Sequence, residues 1–277
     1  MLIDNLQKTY LSNKGKNPVV IRNVLKETIQ FYILDFVYKS TWGENFILKG
    51  GTCLRFCFDL PRLSEDLDFD IKDFKNFSLN HFLVELENYF KKTLQFDKII
   101  IKLANNKRTV YLKFPILSDL GMNIDRGESN IVIIRLDLAP VIGKNYKTEI
   151  SIKSTYDFSF LIKRYSLQDL FVGKLAAILT REAMIGKLKS ERFKGRDFFD
   201  LIWFLEKKVK PNWIYLKEIT EFGRKETLKK LEYKINKVDP NLLKSDLMPF
   251  FEDKIFIDQF IVNFKALFQN YKNILTE

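Results

Sequence analysis

The chain has 277 residues, of which 46% are hydrophobic and 29% are charged, and its formal net charge at pH 7 is +11. This length suits one large domain or two ordinary ones with buried cores, of which we favour two, and the composition excludes a fibrous or disordered protein. The positive charge favours a polyanionic partner such as nucleic acid, but a generally lysine-rich proteome would give the same total.

The first predicted elements lead to a glycine turn. Apolar residues recur at helical spacing over residues 19–37, and residues 46–48 form a short apolar strand that stops at Gly50-Gly51. A helix is expected from Thr52 onward. This order predicts a strand, a tight turn and a helix N-terminus in direct succession.

An acidic strand follows. Residues 66–71 alternate Asp with Leu, Phe and Ile, which predicts a strand with one apolar and one acidic face. Residues 78–94 have the pattern of an amphipathic helix. Further strands rich in β-branched residues are predicted at residues 98–103, 109–114 and 131–138. Together these elements predict an α/β half that contains a sheet.

Long helices are predicted from Ser166 onward. The pattern Ser166-x-x-Asp169 is a typical helix start. Helices are expected at residues 167–183 and 196–206 and then to the end of the chain. We therefore divide the chain into residues 1–160, an α/β domain, and residues 161–277, a helical domain.

The cysteines and the N-terminus indicate the compartment. Cys53 and Cys57 lie four residues apart in one predicted helix, and His81 is the single histidine, so a zinc site is not expected. A disulfide at that helical spacing has poor geometry, so we expect reduced thiols. The first residues lack signal-peptide features, and no run approaches the length of a membrane span. We expect a cytoplasmic protein with no membrane partner.

The glycine turn and the acidic strand contain the groups that phosphoryl transfer needs. Gly50-Gly51 lets the backbone approach a phosphate at a helix N-terminus, and Thr52 adds a hydroxyl. Asp66 and Asp68 share a strand face, so both carboxylates can bind one or two Mg²⁺ ions. Such ions would bridge triphosphate oxygens during an in-line displacement that releases pyrophosphate. Each element alone is weak support, but their order and spacing together predict an active site.

A third carboxylate, Asp137, lies in the otherwise apolar strand at residues 131–138. A charge at such a position needs a partner. Arg135 shares its strand face and could pair with it. Asp137 could equally join the metal site across neighbouring strands, and the sequence leaves both interpretations open.

Four blocks of the sequence carry a family resemblance. The first two are Lys49-Gly50-Gly51-Thr52-x-Leu54-Arg55 and Arg62-x-Ser64-x-Asp66-Leu67-Asp68-Phe69. The other two are Leu170-x-x-x-Lys174-x-x-Ala177 and Lys194-Gly195-Arg196-Asp197-x-x-Asp200-Leu201. Together they resemble the AbiEii family of nucleotidyltransferase toxins.

The resemblance implies an α+β fold, in which a polymerase-β-like domain with a mixed sheet and flanking helices precedes an α-helical domain that completes the active-site cleft. It implies an Mg²⁺-dependent enzyme that transfers NMP from an NTP to RNA, with the tRNA 3′ end as the leading acceptor. Members act as toxins of toxin–antitoxin or phage-defence systems, so a cognate antitoxin is an expected partner.

The resemblance also implies roles for single residues. The two aspartates of the acidic strand bind metal, Lys174 contacts the triphosphate, and Asp197 acts as an acid or base. Ser64 and Thr52 shape the nucleotide-phosphate pocket, together with the glycine pair. Without the resemblance, Lys174 would be interpreted as a snorkelling lysine and Asp197 as an ordinary charge at a helix start.

Two other functions stay open. The acceptor could be a protein or a small molecule, as in other members of the superfold, or the fold could be a catalytically inactive nucleic-acid-binding module. The intact motif carboxylates and lysine argue against the inactive module. For an RNA acceptor, the basic segment with Lys187, Lys189, Arg192 and Lys194 is a candidate path, and an ordinary solvated loop is its alternative.

Overall fold

The computed structural model describes residues 2–106, 108–122, 129–155, 158–185, 188–191 and 193–276, and of residues 182–185 and 188–191 only the backbone. The chain folds into two units. The sheet unit comprises Met1–Val141 and Ile150–Arg164, and the helical unit comprises Ile142–Glu149 and Tyr165–Glu277. Within the described part of the chain, no helix is long and apolar enough to cross a membrane.

The N-terminal part of the chain alternates helices and strands. Its helices are α1 (Leu2–Ser12), α2 (Pro18–Lys39), α3 (Gly50–Phe58) and α4 (Leu79–Asn88), and a π-helical turn at Tyr89–Thr93 continues α4. Its strands are β1 (Phe46–Lys49), β2 (Asp66–Ile71), β3 (Ile100–Leu103), β4 (Thr109–Pro115), β5 (Ile131–Pro140), β6 (Thr148–Ser154) and β7 (Ser159–Tyr165).

Helices dominate the C-terminal part of the chain. They are α5 (Leu167–Thr180), α6 (Gly195–Glu206), α7 (Trp213–Thr220), α8 (Arg224–Asn236), α9 (Pro240–Leu247) and α10 (Lys254–Tyr271). Two short strands, β8 (Glu182–Ile185) and β9 (Leu188–Glu191), form an antiparallel pair between α5 and α6.

The seven-stranded sheet has the strand order β3-β4-β5-β2-β1-β7-β6. Strand β2 runs parallel to β5 and antiparallel to β1, whereas β1 runs parallel to β7. The sheet is therefore mixed, and the predicted α+β class is confirmed. The acidic strand β2 lies inside this sheet, where its neighbours on both sides fix the direction of every side chain.

Apolar alternation explains why β2 takes this position. Leu67, Phe69 and Ile71 are fully buried on one face of the strand. Phe69 meets Phe46 of β1 edge to face, with their ring centroids 5.2 Å apart. Such pairs add about 0.5–1.5 kcal/mol beyond area burial, so the apolar face anchors β2 and leaves the aspartates on the other face.

The predicted start of α5 is confirmed. The Ser166 Oγ atom accepts a hydrogen bond from the Asp169 backbone N–H at 3.2 Å and donates one to Asp169 Oδ2 at 2.6 Å. Asp169 Oδ2 also accepts from the backbone N–H of Lys147, and Oδ1 accepts from Asn212. The Ser166 hydroxyl thus caps α5, and the buried Asp169 carboxylate links the start of this helix to Lys147 and Asn212.

Several boundaries differ from the predictions. Helix α5 ends at Thr180 and not at residue 183, because Arg181 adopts an extended backbone and β8 follows. The amphipathic pattern at residues 78–94 is split between α4 and the π-helical turn. Helix α1 and strands β6 and β7 were not predicted. In β6 the apolar residues Ile150 and Ile152 are exposed, so their alternation with polar residues does not mark a buried face of a strand.

Candidate active site

The glycine turn between β1 and α3 depends on space as well as on backbone conformation. Gly50 has a φ angle of +75°, and a Cβ atom there would lie 2.1 Å from Asp68 Oδ2. A Cβ atom at Gly51 would lie 2.7 Å from an Arg62 guanidinium nitrogen and 2.9 Å from Ser64 Oγ. Both glycines are thus needed for the backbone to approach the polar side chains of the next segment.

Thr52 and Ser64 lie behind this turn. The two side chains are buried, with their hydroxyl oxygens 2.9 Å apart, and the Thr52 hydroxyl also donates to the backbone carbonyl of Asp66. The Ser64 carbonyl in turn accepts from the buried Gln30 side chain. These contacts fix the start of β2 against α3, so both hydroxyls position the acidic strand.

The N-terminus of α3 has no side-chain cap. The N-cap residue is Lys49, and a lysine side chain has no acceptor for backbone N–H groups. Its ammonium instead pairs with Asp70 Oδ1 at 2.6 Å. Asp70 is the third aspartate on the acidic face of β2 and is buried, and its pairing with Lys49 was not predicted.

Strand register brings the three predicted metal ligands together. In the parallel pairing of β2 with β5, Asp68 lies opposite Asp137 and Asp66 lies opposite Arg135. All three carboxylate residues are half-buried. Like charges on directly opposite strand positions are destabilising, so this arrangement requires a cation nearby.

Arg135 supplies positive charge to this carboxylate group. Its guanidinium lies 2.6 Å from Asp137 Oδ2, and the Thr109 hydroxyl donates to Asp137 Oδ1 at 2.6 Å. Burial alone would lower the pKa of Arg135, but the negative charges of the three carboxylates outweigh it and raise that pKa. Asp137 therefore pairs with Arg135, as the first interpretation has it, and lies opposite Asp68 in the strand register, while its role as a metal ligand stays a prediction.

The carboxylate group fits Mg²⁺ in its donor chemistry. Mg²⁺ prefers oxygen ligands and is commonly held by one or two carboxylates together with substrate phosphates. Asp66 and Asp68 supply such oxygens beside the open end of α3. Among the described residues, however, no three His, Cys, Asp or Glu side chains are arranged to hold a metal ion. Both oxygens of Asp137 are engaged, one by Arg135 and one by Thr109.

Lys174 and Asp197, the other predicted catalytic residues, lie together in the helical unit. Lys174 of α5 bridges two carboxylates of α6, with its ammonium 3.0 Å from Asp197 Oδ1 and 2.7 Å from Asp200 Oδ2. Arg181, which ends α5, contacts Asp197 Oδ2. Both aspartates are buried, so this is a desolvated ion-pair network and not a snorkelling surface lysine.

The charges of this network set the protonation state of Asp197. Burial by itself would raise the pKa of the Asp197 carboxyl group. The positive charges of Lys174, Arg181 and Lys194 outweigh burial and hold that pKa well below its ordinary value of 3.8. Asp197 therefore stays ionised at neutral pH.

Part of the predicted basic segment falls outside the described residues. Lys187 and Arg192 are not described, and only the backbone of Lys189 is described, in β9. Lys194 is described and is the N-cap residue of α6.

A comparison with known families decides the identity. The family model described as nucleotidyl transferase AbiEii toxin, type IV TA system, matches residues 33–276, which is most of the chain. The chain belongs to the AbiEii family. It is thus a nucleotidyltransferase toxin of a type IV toxin–antitoxin system, and the predicted resemblance is confirmed. No curated protein sequence matches the chain.

Two solved structures are similar to the chain. MenT4, a nucleotidyltransferase toxin from Mycobacterium tuberculosis H37Rv, is 13% identical and superposes with a TM-score of 0.59 over 99% of this chain and 89% of its own. JHP933 from Helicobacter pylori is 15% identical, with a TM-score of 0.46 over 91% of this chain and 94% of its own. At these identities the likeness to MenT4 supports the fold alone.

The structure of this AbiEii protein adds residues that the sequence analysis missed. Asp200 and Arg181 complete the network of Lys174 and Asp197, and Lys49 neutralises Asp70. Helical spacing could have indicated two of them. Asp200 follows Asp197 by three residues, and Arg181 follows Lys174 by seven, so each pair shares a helix face.

We expect Gly50→Ala to abolish nucleotidyl transfer, because the new methyl group would displace Asp68. Gly121→Ala is the matched control, since Gly121 has a similar φ angle of +72° and no atom within 4 Å of an added Cβ. Each substitution should destabilise the fold by about 1–2 kcal/mol from the left-handed backbone alone. Thermal melting and NMP incorporation are measured for both. Equal activity losses in the two variants would show that the approach of Gly50 to Asp68 has no special role.

Proposed function

We propose that this AbiEii protein transfers NMP from an NTP to RNA in an Mg²⁺-dependent reaction, with the tRNA 3′ end as its first candidate acceptor. The observation that carries the proposal is the approach of Gly50 to Asp68. The N-terminus of α3, which has no side-chain cap, lies beside the Asp68 carboxylate, so that phosphate and metal would meet at one point. We further propose a cytoplasmic location and a cognate antitoxin as partner.

Asp66 and Asp68 would hold the Mg²⁺ ion. Asp137 is the third candidate, and its contacts with Arg135 and Thr109 would be exchanged for the ion. When bound, Mg²⁺ neutralises phosphate charge and steadies the leaving pyrophosphate. The protein's own part is to keep the ligands in register, through the burial of the opposite face of β2 and the hydroxyl contacts of Thr52 and Ser64.

Lys174 would contact the triphosphate. Its ammonium is held between Asp197 and Asp200, so its direction is set before substrate binds. A preoriented cation loses little entropy when it meets a phosphate, and this lowers the cost of binding charged substrate.

For Asp197 the family resemblance left an acid or a base open. An ionised carboxylate cannot donate a proton, so its low pKa disfavours the acid. Its two oxygens face Lys174 and Arg181, which also leaves little capacity for a base. We therefore propose that Asp197 is a positioning residue that orients these two cations.

The acceptor is proposed from the charge of the chain. The net charge of +11 supports a polyanion, and RNA is a polyanion whose phosphates attract positive charge. A protein hydroxyl or a small molecule is the alternative, because the superfold serves many acceptors.

We expect label from an α-³²P-labelled NTP to appear in RNA when the protein is incubated with Mg²⁺, total RNA and total protein. Each of the four NTPs is tested separately, and the products are treated with ribonuclease or protease before electrophoresis. Label that survives ribonuclease and is lost with protease would contradict the RNA acceptor. Chelation of Mg²⁺ should remove incorporation in every arm.

We expect Asp66→Asn and Asp68→Asn each to abolish transfer, since removal of one ligand charge weakens Mg²⁺ binding more than it disturbs packing. Asp97→Asn, at an exposed position, is the control for the loss of one negative charge. Mg²⁺-dependent shifts in melting temperature report ion binding without turnover. Near-native transfer with an unchanged Mg²⁺ requirement in either variant would contradict the two-carboxylate assignment.

We expect Lys174→Gln to raise the KM for NTP at least tenfold, because the triphosphate loses a preoriented cation. Asp197→Asn should raise the same KM if it acts by orienting Lys174, whereas a proton-transfer role would lower kcat at unchanged KM. Lys217→Gln, on the exposed face of α7, controls for the loss of one positive charge. Steady-state kinetics with folded variants, checked by circular dichroism, separate the two roles.

A further inference from the structure

A pocket in the helical unit borders the network of Asp197 and Arg181 and extends beyond it. Its volume is about 250 Å³, and it opens among α5, α6, α8 and the start of α9. Four cationic side chains, Arg181, Lys194, Lys234 and Lys237, line it together with apolar residues that include Ile178 and Phe193. The pocket therefore combines positive charge with an apolar wall.

The two carboxylates in the pocket wall are engaged by the protein itself. Asp197 contacts Lys174 and Arg181 in the network described above. Asp239 is the N-cap of α9 and accepts from the backbone N–H groups of Asn241 and Leu242 at 2.8 and 3.0 Å. The lining thus has four positive and two negative side chains, and its surplus of positive charge favours an anionic ligand.

The charged form of Lys194 is destabilised in this pocket, and a bound anion would stabilise it. Burial lowers the pKa of its ammonium group, and the like charges of Arg196, Lys174 and Arg181 lower it further against the attraction of Asp197. A phosphate in the pocket would offset this repulsion. Phe193, which stacks on Phe198 with centroids 5.4 Å apart, gives the same pocket an aromatic ring of fixed orientation.

The positive charge continues from the pocket along α8. Lys230, Lys234 and Lys237 recur at the spacing of one helix face, and Tyr233 beside them is 55% exposed. The Lys237 ammonium lies 4.3 Å from the Tyr233 ring centroid. Exposed aromatic rings among lysines are typical of surfaces that track single-stranded nucleic acid, where phosphates meet cations and bases stack.

We propose that this pocket and the adjoining face of α8 bind the single-stranded end of the RNA acceptor, with one phosphorylated nucleotide in the pocket. The inference rests on the proposed RNA acceptor and names the surface that holds it. A polymer is favoured over a free NTP, because the charged face extends beyond a pocket smaller than the ~300–1,000 Å³ usual for enclosed small ligands.

The test uses Lys234→Gln/Lys237→Gln, which removes two pocket cations and keeps good helix formers in and after α8. Lys75→Gln/Lys102→Gln, at exposed positions of the sheet unit, makes the same change in net charge. Lys234→Arg/Lys237→Arg keeps the charge at the pocket. Binding of a 5′-fluorescein-labelled single-stranded oligoribonucleotide is followed by anisotropy over a series of salt concentrations, without NTP or Mg²⁺.

We expect the pocket glutamine variant to bind this RNA about tenfold more weakly at low salt. The plot of log affinity against log salt should become shallower by about 1.4, because two phosphate contacts are lost and each contributes about 0.7 to the slope on a single strand. In the exposed control and in the arginine variant, the slope should differ from the wild-type slope by less than about half of that amount. An unchanged slope in a folded pocket glutamine variant would overturn the proposal.

Kinetics distinguish the acceptor from the nucleotide. In the pocket glutamine variant the KM for RNA should rise while the KM for NTP stays at the wild-type value. A rise in the KM for NTP alone would assign the pocket to the nucleotide and overturn the proposal. The incorporation assay tests the proposed function on its own, which would be contradicted if the wild-type protein labelled no RNA. The binding measurement requires no catalysis and therefore tests the RNA-binding surface independently.

Discussion

The candidate active site depends on one steric constraint, the contact between the Gly50 backbone and the Asp68 carboxylate. Only a residue without a Cβ atom fits there, and only one with free access to positive φ can make the turn. That constraint places an open helix N-terminus beside a strand carboxylate. Burial of Leu67 and Phe69 on the other face holds the strand in register, so apolar packing and site geometry are coupled.

Each unit of this AbiEii protein balances buried or half-buried carboxylates with its own cations. In the sheet unit Arg135 supplies positive charge to the strand carboxylates. In the helical unit Lys174 and Arg181 form ion pairs with Asp197. Carboxylates this close are costly without positive charge, so the cations preserve the geometry before substrate or metal binds. When metal or substrate binds, its charge would therefore replace a contact that a protein side chain already makes, and the arrangement of the site would stay the same.

The sequence was most informative where local rules are strong. The span of β2 and the Ser166 cap of α5 follow from period-two alternation and from a capping signal within four residues. Prediction failed at β6, where Ile150 and Ile152 face outward, and at the end of α5, where a pair of short strands begins. Those features depend on pairing between segments, which no local pattern encodes.

The sequence by itself determined the glycine turn, the acidic strand and the family, because each is a short motif whose chemistry depends on neighbouring residues. Arg135 was already a candidate partner of Asp137 from their shared strand face, but only the tertiary structure decided the other neighbours of the charged groups. Asp137 lies opposite Asp68 and Thr109 through the register of three strands, and Asp197 contacts Lys174 through the packing of two helices. The physical reason is that ion pairs form over a few ångströms in space, while the residues that make them can be distant along the chain, as Lys174 and Asp197 are at 23 positions apart.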